Sequence, residues 1–491
     1  MVMPYSKPAS KEILGMREQE HTSLCPEDAK KDAPGGGECH KDDSAAEAEP
    51  RRAVLRGVLE PVRLIRRDGL LGLVDRLRGE GDLVRFRLGQ LQCHALFHPE
   101  AAQHVLRHHA DRYTKAGHPA YRPFQRMAPA GLLTSTGADW RRRRRVVQPA
   151  FHDSTLGALA VEVAEVAEET AERWSRMADR REPFDVMDEM IRVTLAVITR
   201  SVIGRSTPPE LVDAISHDFR LLQYEVIRRA SRMRILPPVL PWGKDRAFQQ
   251  ASARLRLNSQ EILRRYGVNP DAPQLLDLLR RAIEDEAGLT TEEAGDQVLT
   301  MLFGGHETTA SVMAWLWLLL DEHRDAEKRL HEELRTWSGD PLDTGGLTWT
   351  GHVIDEALRL YPPVFILPRM AAQDDVVLNH EIRAGSSVWV VPYGIHRNPA
   401  VWSEPDVFRP ERFHEGMSAA HRNALYLPFS LGSRQCIGAA FAVTEMKILV
   451  AALAARFRIR LLPEARRDVD ATVTLRPRGA VCVMEHRREG D

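Results

Sequence analysis

The stretch Pro428-Phe-Ser-Leu-Gly-Ser-Arg-Gln-Cys-Ile-Gly438 decides how the rest of the chain is interpreted. Cys436 lies between Gly432 and Gly438, just before an apolar run from Ala439 to Leu453 that has helical periodicity. Glycine permits positive φ and a close approach of the backbone to a flat cofactor. A cysteine thiolate is a strong ligand for iron. The residues alone leave two interpretations open: a buried free cysteine at a helix start, or the axial ligand of a cofactor.

Composition and net charge argue against several classes of protein, namely nucleic-acid-binding, membrane-spanning and disulfide-rich proteins. The chain has 491 residues and a net charge of −1, so its charge does not favour nucleic acid or an anionic membrane as partner. Five scattered cysteines predict a reducing cytoplasm rather than a disulfide framework. The apolar run Ala310–Leu320 is too short for a bilayer span of about 20 residues. We therefore expect a cytoplasmic protein without a membrane span.

Residues 1–50 are polar, charged and poor in large apolar side chains, which predicts a disordered tail. The tail contains four residues of zinc-ligand type, His21, Cys25, Cys39 and His40. Their spacing matches no familiar zinc pattern, so no metal site is predicted there.

Periodicity predicts a largely helical chain after a short hairpin. The hairpin is expected over Leu83–Phe97 with its turn at Gly89-Gln90, and residues 111–136 are expected to form a long loop. Further predicted elements are helices over 155–205, 209–235 and 245–266, a proline-rich break over 236–242, and strands over 457–461 and 480–484.

The run Trp140-Arg-Arg-Arg-Arg-Arg145 predicts a basic helix. Trp140 and Arg144 are four residues apart and would share one face. A guanidinium suits a carboxylate because it donates two parallel hydrogen bonds. A solvated basic face is the alternative, and the other arginines of the run are expected to face outward.

A long helix is predicted from about Thr290 to His323, with hydroxyl caps ahead of carboxylates at its start. Gly304 and Gly305 lie in its middle, where each glycine costs about 1 kcal/mol relative to alanine. One turn later, Glu307 and Thr308 offer an acid and a hydroxyl. The pattern alone fits either a close helix crossing or a ligand site.

Glu356 and Arg359 are three residues apart on an amphipathic helix, as in an ordinary helical ion pair. Farther along the chain, Arg412 lies in the segment Pro410-Glu-Arg-Phe413. Spacing alone assigns these residues no function.

Together these motifs resemble a known family. Phe429-x-x-Gly432-x-Arg434-x-Cys436-x-Gly438 resembles the haem-binding signature of the cytochrome P450 monooxygenases. The resemblance covers about residues 55 to 490, and four further motifs follow the family in order. These are Trp-x-x-x-Arg, Gly-Gly-His-Glu-Thr-Thr, Glu-x-x-Arg and Pro-Glu-Arg-Phe.

The resemblance implies a mainly α fold with small β-sheets in a single domain, residues 51–491. Haem b would lie between the long oxygen-activating helix and the helix that follows the cysteine loop, with Cys436 as the axial ligand of its iron. Glu356, Arg359 and Arg412 would form a buried structural brace. The other implied cofactor-binding residues are Trp140, Arg144, Gly305, Arg369, His396, Phe429, Arg434 and Gly438, of which Arg369, His396 and Arg434 are candidates for the haem propionates.

The implied reaction inserts one oxygen atom of O2 into an apolar small molecule and reduces the other to water. Thr308 would hold a water molecule in place, and Glu307 would deliver protons from solvent; such acid assistance is worth about 10²–10⁴-fold. Electrons would come from NAD(P)H through a reductase and a ferredoxin or flavodoxin, which could dock on the outward arginines of 140–145.

The resemblance leaves the substrate open among terpenoids, polyketides and fatty acids. Two alternatives to the monooxygenase remain. One is other haem-thiolate chemistry, as in a peroxygenase, isomerase or dehydratase. The second is a haem sensor without turnover, which the Glu307–Thr308 pair disfavours.

Overall fold

In the computed structural model, the described residues are 52–54, 59–204, 246–266, 274–285, 288–414, 424–471 and 473–487, with scattered positions between 208 and 222 and at 422. The predicted tail, the break over 236–242 and most of the predicted helix over 209–235 lie outside them. The boundary between tail and domain at residue 50 therefore stays a prediction.

The fold is mainly helical, as expected. Its α-helices, in chain order, are α1 (Glu60–Glu80), α2 (Pro99–Gln103), α3 (Arg122–Met127), α4 (Gly137–Val147), α5 (Asp153–Arg180), α6 (Val186–Val202), α7 (Arg246–Tyr266), α8 (Gln274–Glu284), α9 (Thr291–Glu322), α10 (Arg324–Thr336), α11 (Thr348–Leu360), α12 (Pro392–Ile395) and α13 (Ala439–Ala454). Among the described residues, no helix is both long and apolar enough to cross a membrane.

The strands form small sheets, again as expected. They are β1 (Arg52–Val54), β2 (Leu83–Leu88), β3 (Leu91–Leu96), β4 (Tyr113–Thr114), β5 (Phe184–Asp185), β6 (Leu367–Ala371), β7 (Asp375–Val377), β8 (His380–Ile382), β9 (Ser387–Val390), β10 (Phe457–Leu461), β11 (Asp468–Ala471), β12 (Leu475–Arg478) and β13 (Val481–His486). The largest sheet has the order β1-β2-β3-β9-β6-β4, a second has the order β10-β13-β5, and β11–β12 and β7–β8 are separate hairpins. The predicted hairpin is confirmed as β2–β3, with Leu88 opposite Leu91.

The long helix α9 runs through the main core, and its start is the one predicted from sequence. Thr290 caps it: the Thr290 hydroxyl accepts from the Glu293 N–H (3.2 Å), and the Glu293 carboxylate accepts from the Thr290 N–H (3.1 Å). The helix ends at Glu322, with His323 as its C-cap. Side chains from Val312 to Leu320 are all buried, because α9 packs against other helices on nearly every face.

The predicted helix over 155–205 is in fact two helices. Arg181 adopts a left-handed conformation (φ 49°) after α5, and the next residues form strand β5. Asp185 then caps α6, because its carboxylate accepts from the N–H groups of Met187 (2.9 Å) and Asp188 (3.2 Å). Periodicity on both sides hid this break, since α5 and α6 are both amphipathic.

Candidate active site

The shape of the cysteine loop depends on one glycine. Gly432 has φ +69°, and a Cβ at this position would lie 2.1 Å from the Leu106 carbonyl oxygen, so only glycine fits. The loop folds back on itself through the Cys436 N–H, which donates to the Phe429 carbonyl oxygen (2.9 Å). Helix α13 begins at Ala439, three residues after the cysteine.

Cys436 is a free thiol whose side chain is accessible. Desolvation nevertheless raises the pKa of this thiol, while a hydrogen bond from the Gly438 backbone and the charge of Arg144 act in the opposite direction. An accessible thiol whose pKa is raised by desolvation has many protein atoms around it and one open side, as a ligand position requires. The second interpretation left open by the sequence, a ligand position, is therefore the one that the geometry favours.

Three positively charged side chains converge near the loop, and we call Lys115, Arg369 and Arg434 the cation cluster. Lys115 donates to the Leu133 carbonyl (3.2 Å), and Arg369 donates to the Pro368 carbonyl (2.9 Å). Among the described residues, no carboxylate forms an ion pair with any of the three. Nη1 of Arg434 is buried without a hydrogen-bond partner.

The cluster is electrostatically uncompensated. Desolvation, with the charges of Arg369 and Arg434, lowers the pKa of Lys115 well below its ordinary range. Desolvation, with the charge of Arg369, lowers the pKa of Arg434 to about 10. An anion placed among these groups would relieve the repulsion and satisfy the free N–H groups. The residues present therefore fit an anionic ligand, and the haem propionates that the resemblance implies are such anions.

Trp140 and Arg144 lie where the sequence predicted, on one face of α4. The Arg144 guanidinium is 5.8 Å from the centre of the Trp140 ring, and that of Arg434 is 4.1 Å from it. Nη1 of Arg144 donates to the Gln435 carbonyl (2.9 Å), which ties α4 to the cysteine loop. Both residues thus adjoin the cation cluster, and their contact with a propionate stays a prediction.

The prediction that the other arginines of the run face outward is wrong for two of them. Arg142 and Arg143 bind the carboxylate of Glu293, with N···O distances of 2.7 and 2.5 Å, and Arg143 is buried. They fasten α4 to the first turn of α9. Arg141 and Arg145 are exposed.

The two glycines in the middle of α9 have different roles. A Cβ at Gly305 would lie 2.6 Å from Cδ1 of Ile198, so this glycine allows α6 to cross α9 closely. A Cβ at Gly304 would meet nothing within 4 Å, and this residue is exposed. Gly304 occupies the open side of α9, and a contact of Gly305 with the cofactor stays a prediction.

Thr308 lies one turn after Gly304 on the same face of α9. Its hydroxyl donates to the Gly304 carbonyl oxygen (2.6 Å). The neighbouring Glu307 is buried, and its Oε1 accepts from the Thr474 hydroxyl (2.8 Å) and lies 3.9 Å from Nη1 of Arg476. The acid and the hydroxyl predicted from sequence are thus adjacent on α9, with the acid held by the segment before β12.

The brace predicted from the resemblance (Glu356, Arg359 and Arg412) has the predicted contacts. Glu356 and Arg359 are fully buried and joined by two bonds of 2.7 and 2.8 Å, and Nε of Arg412 donates to Glu356 (3.0 Å). The remaining donors of Arg359 bind the backbone carbonyls of His396, Pro405 and Val407. This network is closed, in the sense that every N–H group of Arg359 has an acceptor inside the protein.

His396, which the resemblance makes a candidate propionate ligand, lies inside the fold. His396 is fully buried, its Nδ1 bonds the Arg359 carbonyl (3.2 Å), and its Nε2 accepts from the Leu427 N–H (3.0 Å). Burial and the charge of Arg359 lower its pKa to about 3, so the ring is neutral. Both ring nitrogens are used inside the protein, and His396 acts with the brace.

An apolar pocket opens beside Phe303, the residue before Gly304. Phe303 contacts Phe124 edge-on, with ring centres 5.1 Å apart. The resemblance implies that the segment of residues 472–475 approaches the substrate. Val473 of this segment lines the pocket, whereas Thr472 lies outside the described residues. The pocket is lined by Pro123, Phe124, Met127, Leu222, Phe248, Phe303 and Val473.

Sequence reasoning missed Lys115 and Arg476, and it included Thr474 only as a member of the segment of residues 472–475. Lys115 lies in the long loop predicted over 111–136, and no local pattern distinguishes it from a surface lysine. Thr474 and Glu307 are 167 residues apart in the chain. Only the tertiary fold brings these groups to the site.

Comparisons with known proteins agree with this geometry. The cytochrome P450 family model matches residues 58–483. The chain is 35% identical to cyclooctatin synthase of Streptomyces melanosporofaciens over 79% of this chain and 85% of that protein. It is 28% identical to pentalenene oxygenase of Streptomyces avermitilis over 80% of this chain and 88% of that protein.

Solved structures agree as well. A crystal structure of a cytochrome P450 superposes with a TM-score of 0.74 at 23% identity, covering 89% of this chain and 99% of that chain. The family model spans most of the sequence, and the fold is the one that the family has. This chain belongs to the cytochrome P450 family of monooxygenases.

Proposed function

We propose that this enzyme uses haem b to insert one oxygen atom of O2 into an apolar cyclic terpenoid, by hydroxylation or epoxidation. The observation that carries the proposal is the pairing of the accessible Cys436 thiol with the uncompensated cation cluster. Electrons would reach it from NAD(P)H through a reductase and a separate ferredoxin or flavodoxin. The exposed Arg141 and Arg145 on α4 offer positive charge to such an acidic donor.

The residues around the loop would hold the cofactor. Cys436 would bind the iron through sulfur, and the cation cluster would bind the two propionates, assisted by Trp140 and Arg144. Phe429 supports the loop, because its carbonyl accepts from the Cys436 N–H. Haem, when bound, supplies the iron centre at which O2 is activated with two electrons.

On the α9 side, Gly304 leaves the backbone accessible and Thr308 positions a proton donor. The Thr308 hydroxyl hydrogen is already given to the Gly304 carbonyl oxygen. The Thr308 oxygen therefore keeps its lone pairs for a hydrogen bond from a water molecule, and would hold that water beside the open face of α9. Glu307 would then replace the proton that this water gives up.

The apolar pocket supports a hydrocarbon-like substrate. Every lining residue among those that the structure describes is apolar. A fatty acid would bring a carboxylate that these residues cannot pair, and an unpaired charge is costly to bury. The names of two relatives, cyclooctat-9-en-7-ol 5-monooxygenase and pentalenene oxygenase, give cyclic terpenoids as their substrates. We therefore favour a cyclic terpenoid over a polyketide or fatty acid.

The absorption spectrum of the reduced protein with carbon monoxide tests the ligand. We expect a strongly red-shifted Soret band in the wild type and its loss in Cys436→Ser. Cys482→Ser is the matched control, because Cys482 is a buried strand residue. A spectrum like that of a histidine-ligated haem protein, or the same band in Cys436→Ser, would overturn the assignment.

Turnover under oxygen-18 gas tests the reaction. With a cyclic terpene, NAD(P)H, a ferredoxin and its reductase, we expect one labelled oxygen atom in the product. Unlabelled product formed with hydrogen peroxide alone would instead indicate a peroxygenase, and rearrangement without oxygen uptake an isomerase. Ligand binding without turnover by any donor would indicate a sensor. Tighter binding of a fatty acid than of a terpene of similar size would contradict the proposed substrate class.

A further inference from the structure

One stripe of α9 binds the segment that enters β12. Glu307, Ser311 and Trp315 follow one another at four-residue spacing and therefore share a helix face. The Leu475 carbonyl oxygen accepts from the Ser311 hydroxyl (2.6 Å) and from Trp315 Nε1 (2.9 Å). Together with the bond from Thr474 to Glu307, these contacts fix residues 474–475 against the helix.

The Glu307 carboxylate is held by two groups from this segment. Thr474 is buried and donates to Oε1, and Nη1 of Arg476 lies 3.9 Å from the same atom. Arg476 is fixed in turn by Asp470, which stands opposite it in the β11–β12 register and accepts from its Nε and Nη2 at 3.2 Å. Glu307 is 2% exposed, whereas the side chains of Arg476 and Asp470 are 23% and 19% exposed.

The Asp470–Arg476 ion pair is partly exposed, and its Arg476 lies beside the buried Glu307. Val473, the residue before Thr474, lines the apolar pocket, so the same segment adjoins both the acid and this pocket. A buried carboxylate needs fixed donors to keep one orientation, and a proton relay works only when its groups are aligned. The hairpin β11–β12 supplies those donors.

We propose that Thr474 and Arg476 are positioning residues, which hold Glu307 at the inner end of a proton path that opens to solvent at the Asp470–Arg476 pair. This inference rests on the proposed function. In each cycle Glu307 takes one proton from solvent water that enters past the Asp470–Arg476 pair and gives one proton to the water held by Thr308, while Arg476 keeps all its protons. The carboxylate then returns to its first state, and no other bond is made or broken.

Three variants and a matched control test the proposal. Thr474→Val keeps the shape and removes the donor, Thr474→Ser restores the hydroxyl, and Arg476→Gln removes the charge. The control is Arg478→Gln, which breaks the outer pair with Asp468 in the same hairpin, where Arg478 is 72% exposed. For Thr474→Val we expect about a tenfold loss of product per NAD(P)H consumed and a larger solvent deuterium isotope effect.

A structural role for Thr474 would not produce the same set of results. We expect Thr474→Val to lower the melting temperature only slightly and to leave the substrate-induced absorption shift unchanged, and Thr474→Ser to recover coupling. In a Glu307→Gln background, Thr474→Val should cause no further loss, because both changes remove the same step. Normal coupling in Thr474→Val, or additive losses in the double variant, would overturn the proposal.

An infrared measurement tests the contact without turnover. The difference spectrum between wild type and Glu307→Gln, with carbon-13-labelled glutamate, isolates the Glu307 carboxylate band. We expect Thr474→Val to shift this band and Arg478→Gln to leave it in place; an unmoved band in Thr474→Val contradicts the proposal. A shifted band in a protein without thiolate-ligated haem would support the contact while overturning the proposed function.

Discussion

The brace and the cation cluster are both made of inward-facing charges, but only the brace is closed. All five N–H groups of Arg359 bind acceptors within the fold: two bonds go to Glu356 and three to backbone carbonyls. The cation cluster has no such closure, since none of its members pairs with a carboxylate among the described residues. Its Arg434 even retains a buried nitrogen without a partner.

The difference separates structural charges from binding charges. Removing a charge from water is costly, and the cost is recovered only where the charge finds partners. The brace recovers it from its own residues, so it stabilises the fold in the absence of any ligand. The cation cluster can recover it only from an anion that the chain does not supply, so we expect it to reduce the stability of the apoprotein and to contribute to haem binding.

The largest expected effect comes from opening the brace. Glu356→Ala would leave the guanidinium groups of Arg359 and Arg412 buried without their carboxylate. We expect a loss of about 3–5 kcal/mol in the free energy of unfolding, measured by denaturant titration of the protein without haem.

The control for this variant is an ion pair at the surface. Glu411 pairs with Arg329 at 3.4 Å, and both side chains are more than 40% exposed. We expect Glu411→Ala to cost less than about 1 kcal/mol. Equal losses in the two variants would mean that closure of the network does not matter.

The next largest expected effect is a loss of stability at low pH, caused by His396, whose ring contacts the brace. Burial and the charges of Arg359 and Arg397 lower the pKa of His396 to about 3, whereas an unfolded histidine titrates near 6.5. Between these values the unfolded state binds more protons than the native state. Stability should therefore fall as pH decreases below about 6.5, by roughly 1 kcal/mol per pH unit.

His396→Gln checks the source of this slope. Glutamine can accept from the Leu427 N–H and donate to the Arg359 carbonyl, but it takes up no proton. We expect a flatter dependence of the unfolding free energy on pH between 7 and 4 than in the wild type. The matched control is His108→Gln at an exposed position, which should keep the wild-type slope.

The start of α9, the β2–β3 hairpin and the Glu356–Arg359 pair could be predicted from the sequence, because each depends on residues that are close together in the chain. The capping pattern of Thr290 and Glu293 placed the start of α9, and the turn at Gly89-Gln90 placed the β2–β3 hairpin. Of the brace, local spacing accounts for the Glu356–Arg359 pair on one helix turn, whereas the contact with Arg412 followed from the family resemblance.

The surroundings of the cysteine loop and of the middle of α9 were less predictable, because the residues that meet there come from distant parts of the chain. Nothing in the sequence distinguishes Gly304 from Gly305. The position of Ile198 decides that Gly305 packs against α6 and that Gly304 lies on the open side of α9. His396 follows the family pattern, yet its ring nitrogens are used by backbone groups that no spacing reveals. Lys115 carries no local signal at all.

The smallest expected effect is an increase in stability when a charge is removed from the cation cluster. It tests whether the cluster, unlike the brace, destabilises the protein without haem. Burial and the charge of Arg369 already lower the pKa of Arg434 to about 10, so its charge is unfavourable in the protein without an anion. Arg434→Met keeps the stem and removes the charge. We expect the unfolding free energy of the protein without haem to rise by about 1 kcal/mol, and haem affinity to fall by tenfold or more, since one charge-assisted hydrogen bond is worth about 1.5–3 kcal/mol.

Denaturant titration of the apoprotein and haem transfer to apomyoglobin measure the two quantities separately. Arg145→Met is the control, because Arg145 is exposed on α4 and should alter neither quantity. A less stable apoprotein in Arg434→Met would show that Arg434 serves the fold as the brace does. Greater stability with weaker haem binding has a single physical origin, since the same uncompensated charge that repels Arg369 in the apoprotein attracts a propionate.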